Sequence, residues 1–113
     1  MATTTTNFAA DAALTVIGTL NKGKPTLGHT KVRVDAYGDF GSGTLTFFYS
    51  PDGGTTKIPL KVSVGGSAVS FTDDQGFAWD APLDNDSAII LYATLASSTS
   101  PDLNVKVNNP HEV

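Results

Sequence analysis

Cysteine is absent from this sequence, and with it go disulfides, thiolate metal sites and thiol catalysis. Stability must come from packing and assembly instead. Positive charge is also scarce: seven Lys and Arg stand against eleven Asp and Glu, for a net charge of −4. No basic run is present that would neutralise a row of phosphates. Nucleic-acid binding is therefore not expected, and binding to an anionic membrane surface is disfavoured on the same ground. No apolar run approaches the roughly 20 residues a helix needs to cross a bilayer. The opening Met-Ala-Thr-Thr-Thr-Thr-Asn lacks the basic-then-apolar pattern of a signal peptide. Helical periodicity is missing too, beyond a turn or two between Asn7 and Leu14.

What is present suits short strands joined by turns. The chain has 113 residues, 11 of them glycine, and only 16% charged side chains, enough for one domain burying about two-thirds of its unfolded surface. The organising stretch runs from Thr44 to Val64. Leu45, Phe47 and Tyr49 share one face of a first strand, and Ile58, Leu60, Val62 and Val64 share one face of a second, alternating with Lys57, Pro59, Lys61 and Ser63. Alternation of this kind predicts strands with one side on a core and the other in water. Between them Ser50-Pro51-Asp52-Gly53-Gly54 supplies the fixed φ of proline and the positive φ of glycine that a reversal needs. Gly65-Gly66-Ser67 predicts a second tight turn into a short strand with Val69 and Phe71 inward, making a meander.

Other strands follow from the same pattern. Ala13 to Leu20 alternates with Leu14, Val16 and Leu20 on one side, Ile17 interrupting the polar face. His29 to Tyr37 places Val32, Val34 and Ala36 inward and Lys31, Arg33 and Asp35 outward. Ala88 to Ala93 is apolar on both faces, as a central strand is, and Leu103, Val105 and Val107 form the last strand against Asn104 and Lys106. Phe40, alone among glycines, is expected to plug one end of the core. Residues 72–87 read as irregular. The expected fold is an all-β antiparallel sandwich of seven or eight strands, jelly-roll or immunoglobulin-like, with little or no helix. Residues 1–12 read as an extended N-terminal arm, 13–108 as the sandwich domain and 109–113 as a polar tail.

No catalytic constellation emerges. Gly23-Lys24 lacks the paired glycines and the Ser or Thr of a phosphate loop. Asp84-Asn85-Asp86 has the oxygen density of a calcium loop but not its glycine or closing glutamate, and Asx turns of this kind bond their own backbone without an ion. Nothing selects a pair of carboxylates for glycoside hydrolysis among Asp73, Asp74, Asp80, Asp84 and Asp86. His29, at a strand entrance, and His111, in the tail, read as surface groups. Interaction is the better-supported chemistry. Thr3, Thr4, Thr5, Thr6 and Asn7 form a β-prone polar arm suited to adding a strand to a neighbour. Tyr37 and Phe48 fall on the polar faces of their strands, where apolar groups mark a contact. An alternative ligand platform would use Phe77 and Trp79, the sole tryptophan, to stack on a sugar.

The phrase Gly43-Thr44-Leu45-Thr46-Phe47-Phe48-Tyr49-Ser50-Pro51-Asp52-Gly53-Gly54-Thr55-Thr56 resembles a hairpin that recurs in small virion proteins of tailed bacteriophages and prophages. So does the closing pattern: a hydrophobic strand at Ala88 to Ala93, a Ser/Thr-rich turn, then Leu103-Asn104-Val105-Lys106-Val107. Together they cover most of residues 28–107. The resemblance implies a capsid decoration, or cement, protein: a β-sandwich that sits on the assembled phage head and bridges major capsid subunits. It implies synthesis in the host cytoplasm and a place on the virion surface. The partners expected are the major capsid protein and further copies of the chain itself, as a trimer or dimer through the Phe48 face or the arm. No cofactor and no enzymatic activity are expected. The other classes in view are a carbohydrate-binding or adhesion module and a tail or neck structural subunit.

Overall fold

A computed structural model describes residues 2–20, 31–61, 68–80 and 89–109. Among the described residues there is no helix, and the strands are β1 (Ala2–Phe8), β2 (Ala12–Leu20), β3 (Lys31–Asp39), β4 (Thr44–Ser50), β5 (Ile58–Pro59), β6 (Ser70–Phe71), β7 (Gln75–Asp80), β8 (Ile89–Ala96) and β9 (Asp102–Asn109).

The β4–β5 hairpin predicted from its alternation and its Pro-Asp-Gly-Gly turn is the innermost pair of the fold. Every other pairing nests around it: β3 before it pairs with β7 after it, β2 with β8, and β1 with β9, all antiparallel. The resulting ribbon folds over on itself, and the pairs β3–β9 and β4–β8 knit it into two sheets. The first sheet has the order β1-β9-β3-β7, and the second β2-β8-β4-β5, with β6 also on β4. Of the two expected connection schemes this is the jelly roll.

Alternation holds where strands are regular. Val32, Val34 and Ala36 of β3, Leu45 and Phe47 of β4, and Leu103, Val105 and Val107 of β9 are all buried between the sheets. Phe40 closes one end of this core, as expected. An edge-to-face cluster extends from the centre, with Phe47 5.3 Å from Phe71 and 5.1 Å from Phe77 between ring centroids.

Nine strands stand among the described residues where seven or eight were expected, and four further expectations are corrected. In β2, Ile17 and Leu20 are buried while Leu14 and Val16 face solvent. Register shifts between Ala12 and Thr15 and between Val16 and Gly18 rephase the strand, so simple alternation across it fails. Leu14 sits at a φ of 47°, and its amide, off the ladder, donates to Thr94 Oγ1 at 2.9 Å. The expected meander is replaced by one broken edge strand. Leu60 N donates to Phe47 O and Ser70 stands against Thr46, while Val69 N donates to Leu60 O beside a Lys61–Ala68 bridge, so β5 and β6 both lie against β4. The Gly65-Gly66-Ser67 turn lies outside the described residues. Residues 75–80, read as irregular, form β7, where Phe77 and Trp79 alternate with Ala78. Finally, residues 2–8, expected as part of an arm outside the sandwich domain, pair along their whole length with β9, from Ala2 opposite Asn109 to Phe8 opposite Leu103, and so form an edge strand of the sandwich.

Candidate interaction surfaces

The two outer faces of the sandwich differ in chemistry. On the second sheet an apolar row crosses the strands: Val16 of β2 stands opposite Tyr92 of β8, Tyr92 opposite Phe48 of β4, and Phe48 opposite Pro59 of β5. Its middle is covered, while Pro59 at the β5 end is exposed. The turn after Ser50 folds back so that Gly54 lies against the Tyr92 hydroxyl and Lys57 Nζ stands 5.7 Å from the Tyr92 ring centroid, leaving Tyr92 only 7% exposed. Phe48 is half-buried there. The β2 end is open, with Val16 51% and Leu14 39% exposed. Alternation pointed these two inward; the signal that marks them is the pair Val16-Ile17, two apolar residues in succession just before Gly18.

The turn is held from within. Ser50 is fully buried; its hydroxyl donates to Asp52 Oδ1 and accepts the amide of Gly54, both at 2.8 Å. Asp52 Oδ1 also accepts the amide of Thr56 at 2.8 Å. Bonds from the Thr56 side chain and backbone, then from Ser50, lower the Asp52 pKa to about 2. Lys57 Nζ reaches the Gly54 carbonyl.

The outer face of the first sheet is polar. Thr5, Lys106, Asp35 and Gly76 form one row, and Asn7, Asn104 and Tyr37 another. Arg33 and Asp35 form an ion pair on the same face, Nη2 to Oδ1 at 3.0 Å. Thr3 Oγ1 donates to Asn108 Oδ1 at 2.8 Å, and Asn7 Nδ2 donates to Asp102 Oδ1 at 2.9 Å and Asn104 Oδ1 at 3.1 Å. Tyr37 is 42% exposed at the end of this network. The expected contact residues therefore do not converge: Thr3, Thr5, Asn7 and Tyr37 share the outside of the first sheet, Phe48 lies outside the second, and Thr4 and Thr6 have the inward parity of β1.

The alternative platform is not presented to solvent. Trp79 is 6% exposed, its ring 5.0 Å from that of Tyr49, and Phe77 is half-buried against Phe47 and Phe71. Four further aspartates accept backbone amides. Asp11 accepts from Ser98 N, Asp39 from Gly41 N, Asp73 from Asp74 N, and Asp74 from Gly38 N. The Ser98 hydroxyl and amide hold the Asp11 carboxyl below its ordinary pKa. Among the described residues no three of His, Cys, Asp and Glu gather as metal ligands. Asp84, Asn85, Asp86, His29 and His111 lie outside the described residues. No family profile, no curated protein and no solved structure matches the chain, so any functional reading stands on these residues and surfaces.

Proposed function

We propose that this chain is a structural virion protein of the capsid decoration type, lodging on an assembled phage head and bridging major capsid subunits. The observation that carries the reading is the outer face of the second sheet. An apolar row is roofed by its own turn at Tyr92 and open at Val16 and Leu14 of β2, the form of a docking surface rather than of a cleft. The hairpin that resembles those of phage virion proteins is also the innermost pair around which the jelly roll nests. Jelly rolls serve in capsids and in lectins alike, so fold alone does not choose between them. The enclosed Trp79 speaks against the carbohydrate reading. Attachment would draw on many copies: weak single contacts repeated over a lattice give firm occupancy.

Cryo-electron microscopy of the particle that carries the chain tests this directly. Density on the outer capsid, with the β2 end of the apolar row against capsid subunits, is the expected result. Density confined to the tail or neck would transfer the protein to the alternative structural class.

A further inference from the structure

Among the described residues the two sheets have four edge strands, and three of them are blunted. β2 carries two register shifts. The β5/β6 edge is made of two-residue pieces and holds Pro59 between Lys57 and Lys61. β7 is short, with Asp73 and Asp74 before it and Asp80 at its end. These are the devices that keep sheet edges from pairing with other chains. β1 has none of them. Its seven residues pair with β9 without a register shift, and they include no charge and no proline.

We infer that β1 is an edge for pairing with β1 of a second copy of this chain, antiparallel about a two-fold axis at Thr5, joining the two first sheets into one. A two-fold pair of identical strands places each residue opposite its mirror position. Centred on Thr5, that register sets Thr5 against Thr5, Thr4 against Thr6 and Thr3 against Asn7. The segment is a near-palindrome of small polar β-formers, and threonine pairs are favourable cross-strand neighbours. An uncharged edge also keeps the net negative charge of two copies away from the join. The second copy thus gains backbone hydrogen bonds along the open side of β1. The inference goes beyond the capsid reading and does not rest on it.

Sedimentation velocity on the full chain tests it, with a dimer expected. Thr5 stands opposite Lys106 within the chain, so Thr5→Glu gains an intramolecular partner while setting two carboxylates face to face across the join. Dimer affinity should fall about tenfold or more, and mixing Thr5→Glu with Thr5→Lys should restore it. Because the chain has no cysteine, Thr5→Cys gives an independent measure. Directly opposed residues have Cα atoms about 4.5–5.5 Å apart, inside the disulfide range. Mild oxidation should cross-link Thr5→Cys at least about tenfold faster than Thr55→Cys, placed in the exposed turn. A monomeric wild type, a Thr5→Glu dimer of wild-type affinity that is folded by circular dichroism, or equal cross-linking of the two cysteine variants overturns the inference. A monomer that still decorates heads would sink this pairing alone, and a dimer that ignores heads would sink the capsid reading alone.

Discussion

The amide of Gly54 donates to the hydroxyl of Ser50 at 2.8 Å, and Ser50 is completely enclosed. This bond turns the chain back over the outer face of the second sheet, where Gly54 and Lys57 roof Tyr92. Replacing Ser50 by alanine leaves the Gly54 amide without its acceptor and frees Asp52 from one of its donors. The expected loss is about 1–3 kcal/mol, the cost of an unsatisfied buried group. Urea denaturation measures it. Hydrogen exchange at Gly54 and Thr56 should accelerate locally, ahead of the core strands.

The same turn gives stability a defined acid dependence. Asp52 has a folded pKa lowered to about 2 from an ordinary 3.8, through bonds from Thr56 and then Ser50. A depressed carboxylate pKa means that the unfolded chain takes up the proton first. The stabilisation is therefore complete above about pH 4 and is lost as pH falls toward 2. Asp11, lowered by Ser98, acts with the same sign. Melting temperature should fall with acidification across this window, and Asp52→Asn should make the fall shallower. Equal slopes for the two proteins would show that Asp52 is not the titrating group.

Much of this fold is legible in the residues because regular strands expose their period. β3 alternates from Val32 to Tyr37, β4 from Thr44 to Phe48 and β9 from Asp102 to Asn108, and the inward residues of these stretches were identifiable from the pattern alone. β2 was legible as a strand but not in its facing, because its register shifts change which side chains face the core, and only the neighbouring Val16 and Ile17 hint at this. β7 was hidden for a different reason: aspartates surround the alternating Phe77-Ala78-Trp79 and resemble a loop in composition. The threonine run announced a strand but not its partner. Local propensity is a property of the segment, whereas pairing with β9 depends on closing a ladder between chain ends. The contact surface inherits these limits. Phe48 was visible from parity, but Val16 and Leu14, which leave the row open, depend on the bulges.

Glycine at position 41 is required by space as well as by backbone angle. Its φ is 58°, and a Cβ there would stand 2.4 Å from the carbonyl oxygen of Thr99, whose amide donates to the Gly41 carbonyl at 2.8 Å. Gly53 has a similar φ of 75° with nothing within 4 Å. Gly41→Ala should cost about 2–4 kcal/mol, against about 1 kcal/mol for Gly53→Ala. Comparable chemical denaturation midpoints for the two would remove the close approach as a cause.

Trp79 reports on the core. Enclosed against Tyr49 and 6% exposed, it should emit at the blue end of the tryptophan range and resist iodide. Added oligosaccharides should leave its spectrum unchanged. Red-shifted, readily quenched emission would return the sugar platform to consideration.

Val16 separates docking from folding. It stands opposite Tyr92 but is 51% exposed, so its side chain contributes little to the core. Val16→Thr keeps the branched shape that strands favour, and Val16→Asp introduces a charge. Surface changes of this kind usually alter stability by about 0.5 kcal/mol or less. On a capsid-facing surface, however, an aspartate would be buried without a partner on binding. Occupancy on heads should fall about tenfold or more for Val16→Asp and only slightly for Val16→Thr. Quantifying bound copies per purified head at a fixed protein concentration gives the answer, with unfolding curves as the control. Unchanged occupancy for a folded Val16→Asp protein would move the contact off the second sheet and take with it the observation on which the capsid proposal stands.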